Sequence, residues 1–192
     1  ETVVNARHEQ GVAYMAFGYA QSTGKPGVYA VVPGPGILNT TAALSTAYAC
    51  NSRVLAITGQ IPSSYIGREL GMLHEIPNQL SVLEGLTKFA KRINYPSDAP
   101  AIVSEAFKNM RSGRPRPTAI EMPMDIMQHK SEVTLRKFTD GYSPPAADPD
   151  LIKEAALILG AAKNPVIFVG TGAYEAGKEV TILAEMLQAP VI

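Results

Sequence analysis

Residues 5–28, NARHEQGVAYMAFGYAQSTGKPGV, place a carboxylate, Glu9, directly before a long apolar segment. Val3 and Val4 are typical of the last residues of a buried strand, and the apolar pattern over residues 12–20 predicts a helix. Glu9 is therefore predicted to lie at a strand-to-helix corner. Because the helix dipole favours a carboxylate in the first turn, a simple surface cap is an alternative role for Glu9.

Strands and helices alternate along the chain after this corner. Apolar, β-branched runs bounded by Gly and Pro predict strands, and the segments between them have helical periodicity. The predicted strands are KPGVYAVV, RVLAIT, LTKFAKRI and PTAIEMP, and helices are predicted over residues 37–50 and 98–111. This alternation predicts an α/β fold with a mostly parallel sheet and helices on both faces.

The segment YSPPAADPD concentrates proline and aspartate, which is typical of an interdomain linker. We predict a first domain over residues 1–123, a linker over 124–148 with the boundary near residue 145, and the start of a second α/β, Rossmann-like domain over 149–192. In that second part, PVIFVG predicts a strand between two helices. The chain begins without Met and ends on the strand-like QAPVI, so we expect it to be part of a longer polypeptide.

Composition and charge argue against several classes of function. Lys plus Arg and Asp plus Glu both number 17, so no charge excess points to a nucleic acid or an anionic membrane. The single cysteine, Cys50, excludes an internal disulfide, and no Cys or His spacing is typical of a metal site. No apolar run approaches the roughly 20 residues that cross a bilayer. We expect a cytoplasmic protein.

Three segments are predicted to follow strands at one edge of the sheet, where open parallel sheets bind ligands. They are the corner at Glu9, the turn PGPG (residues 33–36) and the loop that begins with GQIPSSYIG (residues 59–67). Glycines let a backbone approach a ligand, although glycines beside prolines are also typical of plain turns. The stretch over residues 59–79 is predicted to be a surface loop, either functional or an ordinary connection.

A second glycine-rich turn, GTGAYEAG (residues 170–177), follows a predicted strand and precedes a helix. Glu175 stands where a dinucleotide-binding G-x-G-x-x-G motif has its third glycine. A phosphate site at the helix N-terminus and a plain turn are both open alternatives.

The order and spacing of RHEQGVAYMAFGYAQSTGKPGV, PGPGILNTTAAL and TGQIPSSYIG resemble the pyrimidine-binding domain of thiamine diphosphate-dependent enzymes, the acetolactate synthase and decarboxylase superfamily. SGRPRPTAIEMPMDI resembles the end of that domain. NPVIFVGTGA and AEMLQAPVI resemble the start of the family's central domain. The resemblance covers nearly the whole chain.

This resemblance implies that Glu9 hydrogen-bonds N1′ of the cofactor's aminopyrimidine ring and drives the tautomerisation that makes its 4′-amino group basic. We expect burial against apolar walls such as Val12, Ala13 and a ligand ring to raise the pKa of Glu9 against the opposing effect of the helix N-terminus. Gln60 is implied to project into the active site as a second catalytic residue. Further cofactor-binding residues implied by the resemblance are Gly34, Gly36 and Asn39.

Acetolactate synthases tend to have a Phe-Gln-Glu element where this chain has His74 and Glu75, so His74 is a candidate substrate contact. The resemblance implies thiamine diphosphate as cofactor, with Mg held by a domain whose Gly-Asp-Gly…Asn motif this sequence lacks. It leaves FAD binding by the central domain open. A 2-oxo acid substrate and a second subunit, in a homodimer or tetramer, are also implied.

The leading functional hypothesis is thiamine diphosphate-dependent decarboxylation of a 2-oxo acid with carboligation, as in acetolactate synthases. A simple 2-oxo acid decarboxylase or an acetyltransferase of the same superfamily is the nearest alternative. A noncatalytic α/β module that binds a nucleotide or a partner is an alternative of another class. In that case Glu9 is a helix cap and the glycines form turns.

Overall fold

A computed structural model describes residues 3–135, 143 and 145–192 of the chain. The chain divides into two compact units, Glu1–Pro144 and Pro145–Ile192. This division lies within the predicted linker, of which residues 136–142 and 144 are outside the described part of the chain. The predicted domain bounds at residues 123 and 149 stay a prediction.

The first unit is built on a four-stranded, all-parallel sheet with the strand order β1-β2-β4-β3. Apolar runs bounded by Gly, Pro or polar residues form all four strands, as the sequence pattern predicts. Their bounds are β1 (Gly27–Val31), β2 (Val54–Gln60), β3 (Phe89–Arg92) and β4 (Thr118–Pro123). The predicted α/β fold class is confirmed.

Helices cover both faces of this sheet. The first face packs against α1 (Glu9–Thr23), α3 (Thr41–Ala49) and α4 (Gln79–Leu86). Its core includes Ala13, Ala16, Tyr29, Leu44, Ala56 and Leu83. The second face packs against α5 (Ala99–Arg111), with a core that includes Leu55, Ile102, Ala106, Met110 and Ile120.

Local side-chain chemistry sets where the helices begin and end. Helix α1 begins after His8, whose Nδ1 accepts a hydrogen bond from the Gln10 N–H, and ends at Gly24 with φ 68°. The helix predicted over residues 37–50 is instead two helices, α2 (Pro35–Asn39) and α3. The break is at Thr40, whose buried hydroxyl donates to the Ile37 carbonyl and accepts from the Tyr29 hydroxyl.

The strand predicted just before Glu9 is not formed. Val3 and Val4 are 82% and 63% exposed and belong to none of the strands in the described residues. A strand is stabilised by hydrogen bonds to a neighbour, and apolar character in two residues does not replace that pairing. Sequence analysis also missed α4, because its eight residues directly follow the long loop and were not distinguished from it.

The second unit contains two helices, α7 (Pro149–Ala161) and α8 (Gly177–Leu187). Asp148 caps α7 by accepting a hydrogen bond from the Asp150 N–H. The predicted strand PVIFVG is reduced to one parallel bridge between Ile167 and Val191. Beside this bridge, the backbone N–H groups of Ile167 and Val169 donate hydrogen bonds to the carbonyls of Pro190 and Ile192. Among the described residues, no helix has the length and apolar character needed to cross a bilayer.

Candidate functional site

Glu9 lies in the first turn of α1, beside the glycine-rich turn that follows β1. Its Oε2 accepts a hydrogen bond from Asn39 Nδ2 at 3.1 Å. Its Oε1 lies 3.7 Å from the position that a Cβ atom on Gly36 would occupy. The structure therefore brings together three of the residues predicted from the sequence: Glu9, Gly36 and Asn39.

The two glycines of the turn are required by close packing as well as by the turn itself. A Cβ on Gly36 would lie 2.4 Å from Val32 Cγ2. A Cβ on Gly34, whose φ is 61°, would lie 2.4 Å from the carbonyl oxygen of His74. Side chains at these positions would clash, so the two glycines let the turn pack closely against Val32 and the His74 backbone beside the Glu9 carboxylate.

The pKa of Glu9 is lowered from its ordinary value. The largest cause is the hydrogen bond from the backbone N–H of Glu9 itself at the start of α1, followed by the hydrogen bond from Asn39. Desolvation acts in the opposite direction, and the charge of His8 contributes a further lowering. This direction is opposite to the upward shift expected from burial, because Glu9 stays partly exposed and the helix N-terminus stabilises the charged form. The upward shift expected beneath a ligand ring stays a prediction.

Gln60 and His74 are two further residues predicted for the site. Gln60 is buried at the end of β2, and its Oε1 accepts a hydrogen bond from the neighbouring Ile61 N–H at 2.8 Å. His74 packs its backbone against Gly34 and has a φ of 71°. Their catalytic and substrate-binding roles stay predictions.

A buried amide that the sequence analysis missed connects two strand-end loops. Gln79, the first residue of α4, is 1% exposed. Its Oε1 accepts a hydrogen bond from the Gly34 N–H at 2.8 Å, and its Nε2 donates to the Gly59 carbonyl at 3.0 Å and to Glu121 Oε2 at 2.8 Å. Gln79 therefore joins the turn beside Glu9 to the end of β2.

Glu121 accepts a hydrogen bond from the Gln79 amide and is also paired with Arg92. It is fully buried in β4, and its Oε1 accepts a hydrogen bond from Arg92 Nε on the neighbouring strand β3. The sequence carried a signal, since TAIEMP contains a carboxylate in an otherwise apolar strand and buried carboxylates need partners. No comparable sequence signal marked Gln79 as buried, because a glutamine at the end of a polar loop is typical of the surface.

The loop between β2 and α4, residues 61–78, is fastened at its start by α6 (Met124–Gln128). Asp125 Oδ1 accepts a hydrogen bond from the Ser63 N–H at 2.9 Å, and Oδ2 accepts from the Ser63 hydroxyl at 2.6 Å. These bonds stabilise the charged carboxylate and lower the pKa of Asp125. The loop that packs on Gly34 is therefore tied to the end of β4 as well.

Two further expectations from the sequence concern metal binding and the second glycine-rich turn. Within the described part of the chain, no three His, Cys, Asp or Glu side chains are arranged to hold a metal ion. The glycine-rich turn at residues 170–177 contains a 3₁₀ helix, Thr171–Ala176, directly before α8. A nucleotide or FAD site at this turn stays a prediction.

Comparison with known families gives a match over the part of the chain that contains this site. Residues 2–82 match the sequence profile of the family described as thiamine pyrophosphate enzyme, N-terminal TPP binding domain. Glu9, the glycine-rich turn and Asn39 all lie within this match. So do His74 and Gln79.

Curated relatives match nearly the whole chain. It is 38% identical over 194 residues to an acetolactate synthase from Arthrospira platensis, with 96% of this chain and 33% of the relative covered. It is 34% identical over 192 residues to a probable 2-ketoarginine decarboxylase from Pseudomonas aeruginosa, with coverages of 98% and 34%. The chain thus spans about a third of the length of these relatives.

Among solved structures, the chain is similar to a thiamine diphosphate-dependent 4-hydroxybenzoylformate decarboxylase from Rhodococcus jostii RHA1. The TM-score is 0.84 at 25% sequence identity, and the similarity covers 96% of this chain and 36% of that one. The backbone arrangement described above is therefore shared with an enzyme of this type.

Proposed function

Because this chain belongs to the thiamine diphosphate-dependent enzyme superfamily and is similar to acetolactate synthases, we propose that it is the pyrimidine-binding part of a 2-oxo acid decarboxylating carboligase. The chain spans about a third of its relatives, and the activity is therefore proposed for the complete enzyme. In this proposal the enzyme decarboxylates a 2-oxo acid and joins the remaining fragment to an acceptor.

The observation that carries this proposal is the position of the Glu9 carboxylate. It lies beside the glycine-rich turn, with Oε1 3.7 Å from the position that a Cβ atom on Gly36 would occupy. The hydrogen bond from Asn39 occupies Oε2, and within the described part of the chain no hydrogen bond from another side chain to Oε1 competes for a ring nitrogen. A carboxyl group at the start of a helix, held at one oxygen by Asn39, fits a ring nitrogen of the aminopyrimidine of thiamine diphosphate.

In the proposed mechanism, Glu9 would hold and release a proton at its carboxyl group, opposite ring nitrogen N1′ of an aminopyrimidine bound there. When bound, the cofactor would supply the carbon that accepts the electron pair released by decarboxylation. Asn39 holds the Glu9 carboxyl group in one orientation, and the turn of Gly34 and Gly36 would lie beside the ring. Covering Glu9 with a ring would remove water from it, and desolvation raises the pKa of a carboxyl group toward the working pH.

Several parts of the proposed enzyme rest on the family resemblance. We propose that Mg²⁺ and the diphosphate are held by another domain, that a second subunit completes the site, and that the enzyme is cytoplasmic. On the same family resemblance we propose FAD binding by the second unit, a catalytic role for Gln60 and a substrate-binding role for His74. The first experiment below addresses the reaction alone.

A simple 2-oxo acid decarboxylase is the second candidate. Two observations favour it: the TM-score of 0.84 to a 4-hydroxybenzoylformate decarboxylase, and the similarity to a probable 2-ketoarginine decarboxylase. Both candidates need the same carboxylate at Glu9. They differ in whether the fragment is protonated or is joined to an acceptor.

Product analysis of the complete enzyme separates these candidates. The enzyme is incubated with pyruvate and with larger 2-oxo acids, with and without thiamine diphosphate and Mg²⁺. Cofactor-dependent release of CO₂ with a ligated product supports the carboligase, and release with an aldehyde as the sole organic product supports the decarboxylase. If the cofactor neither binds nor changes turnover, both candidates are wrong.

A further inference from the structure

We propose that Gln79 is a positioning residue for the cofactor site: it sets the turn of Gly34 and Gly36 against Glu9, and the buried pair Glu121 and Arg92 fixes the direction of its amide. This inference rests on the proposed function for the identity of the ligand. The hydrogen-bonded arrangement itself is a property of the described residues.

The amide of Gln79 has a single favourable orientation. The Gly59 carbonyl and the Glu121 carboxylate are both acceptors, so both must face Nε2, which has two N–H donors. Oε1 then faces the Gly34 N–H, which is a donor. The flipped amide would set its oxygen against two acceptors and its NH₂ group against a donor, so all three hydrogen bonds would be lost.

Arg92 determines how Glu121 takes part in these hydrogen bonds. Its Nε donates to Glu121 Oε1 across the register pair that β3 and β4 form at these two residues. This contact keeps Glu121 as an acceptor toward Gln79 through the other oxygen, Oε2. The donors therefore point toward Glu121 from both sides: Arg92 of β3 donates to Oε1, and Gln79, which itself accepts from the Gly34 N–H, donates to Oε2.

Burial makes this arrangement costly to lose. Gln79 is 1% exposed and Glu121 is 0% exposed, so water does not readily replace a lost partner. Gly34 adopts φ 61° and ψ −120°, a conformation that is open to glycine and that a residue with a Cβ atom rarely adopts. The N–H of Gly34 is held by Gln79, and the backbone of His74 packs on its other side.

A displacement of Gly34 would move Gly36 and thereby change the surroundings of the Glu9 carboxylate. Gly36 is two residues along the same turn, and its backbone is the surface next to Glu9 Oε1. Gln79 itself has no hydrogen bond with Glu9 or Asn39 in the structure. A change at Gln79 is thus expected to weaken cofactor binding more than the chemical step at saturating cofactor.

The decisive variant is Gln79→Glu, which keeps the shape of the side chain and replaces its NH₂ group with an oxygen. The charged groups on the elements packed against α4 are Glu121 of β4 and Lys91 and Arg92 of β3, while α3 has none. Lys91 pairs with Glu105 instead. The introduced carboxyl group therefore faces the Glu121 carboxylate, which favours its neutral form and raises its pKa.

This chemistry predicts a pH-dependent defect in cofactor binding. A protonated carboxyl group at position 79 still donates one hydrogen bond and still accepts from the Gly34 N–H, whereas the charged form repels Glu121. In the complete enzyme, we expect thiamine diphosphate to bind Gln79→Glu about tenfold more weakly than wild type at pH 8, with the ratio of Kd values approaching one near pH 6. The KM for the cofactor should change more than kcat.

Gln128→Glu is the matched control, because it makes the same change at an exposed residue of α6. Its Kd ratio to wild type should stay near one at both pH values. Thermal unfolding of each variant at both pH values shows that the binding data refer to folded protein. A constant Kd ratio for Gln79→Glu between pH 6 and pH 8, or a ratio near one throughout, overturns the inference.

A second variant keeps the proposal testable if Gln79→Glu does not fold. Glu121→Gln keeps the shape of the anchor, but its amide oxygen faces the Arg92 donor and its NH₂ group then faces Gln79 Nε2, so the hydrogen bond that fixes the Gln79 amide is lost. We expect weaker cofactor binding without the pH dependence, and wild-type binding by this variant contradicts the assigned role of Glu121. Failure of wild type itself to bind thiamine diphosphate refutes the proposed function instead.

Discussion

Asn39 Nδ2 donates a 3.1 Å hydrogen bond to Glu9 Oε2, which joins the end of α2 to the beginning of α1. The two residues are 30 positions apart in the sequence. Their contact holds one oxygen of the carboxylate and directs the other toward the glycine-rich turn. The proposed chemistry depends on this orientation, and four predictions follow from the surrounding contacts.

Replacing Glu9 with Gln removes the exchangeable proton and keeps the shape of the side chain. In the complete enzyme, we expect kcat to fall by roughly 10²- to 10⁴-fold, the usual contribution of a positioned acid or base. Steady-state turnover with saturating thiamine diphosphate measures this. Glu105→Gln is the control, since Glu105 is an exposed carboxylate paired with Lys91 and should keep wild-type turnover. Equal rates for the two variants would remove Glu9 from the mechanism.

Replacing Asn39 with Ala should raise the pKa of Glu9. The hydrogen bond from Asn39 stabilises the charged carboxylate and is the second-largest cause of the lowered pKa, so its loss moves that pKa back toward the ordinary value. Carboxyl-carbon NMR of the chain labelled at glutamate, followed through acid titration, measures this shift. Thr41→Ala, next to the helix break but without a contact to Glu9, is the control. An unchanged Glu9 titration in Asn39→Ala would contradict the assigned hydrogen bond.

Replacing Gly36 with Ala should destabilise the first unit and weaken cofactor binding. The added Cβ would lie 2.4 Å from Val32 Cγ2, and relieving such overpacking typically costs about 1 to 3 kcal/mol. Urea unfolding of the chain measures the loss of stability. Gly18→Ala is the matched control: Gly18 is in α1 with no atom within 4 Å of the added Cβ, so a gain of about 0.5 to 1 kcal/mol is expected. A stabilised Gly36→Ala would show that the turn is not closely packed.

Asp125 should make stability depend on pH in the acidic range. Its pKa in the folded chain is lowered by Ser63, so its contribution is present above the unfolded-state pKa and is lost as pH falls through the folded-state value. In Asp125→Asn, the urea midpoint should be lower than in wild type near pH 7, and the difference should shrink toward pH 3. Asp150→Asn is a control in the second unit. A difference that stays constant with pH would mean that the charge of Asp125 does not stabilise the loop.

Elements with strong local patterns were predicted correctly. The four strands coincide with apolar runs that Gly and Pro bound, and α5 covers most of the segment predicted as helical. By contrast, the supposed strand at Val3 and Val4 was wrong, because a strand depends on a neighbour that local composition does not reveal. The break at Thr40 was also missed, since it depends on a buried hydrogen bond with Tyr29.

The features of the candidate site likewise divide into those that could be predicted from the sequence and those that could not. Motif order led to Glu9, Gly36 and Asn39, and the structure places Asn39 in contact with Glu9 and Gly36 close to it. In the structure the pKa of Glu9 is lowered by nearby hydrogen-bond donors, whereas the expected upward shift depends on cover by a ligand ring and stays a prediction. Gln79 was missed because its partners come from three different segments of the chain.

By itself, the amino-acid sequence determined the alternation of strands and helices and the placement of a carboxylate at the start of α1, since both depend on neighbours a few residues apart. Only the tertiary structure decided that Gln79 reaches Gly34, Gly59 and Glu121, and that Arg92 holds Glu121. Buried polar groups must be paired, but which groups meet depends on the order of strands in the sheet and on where each helix packs.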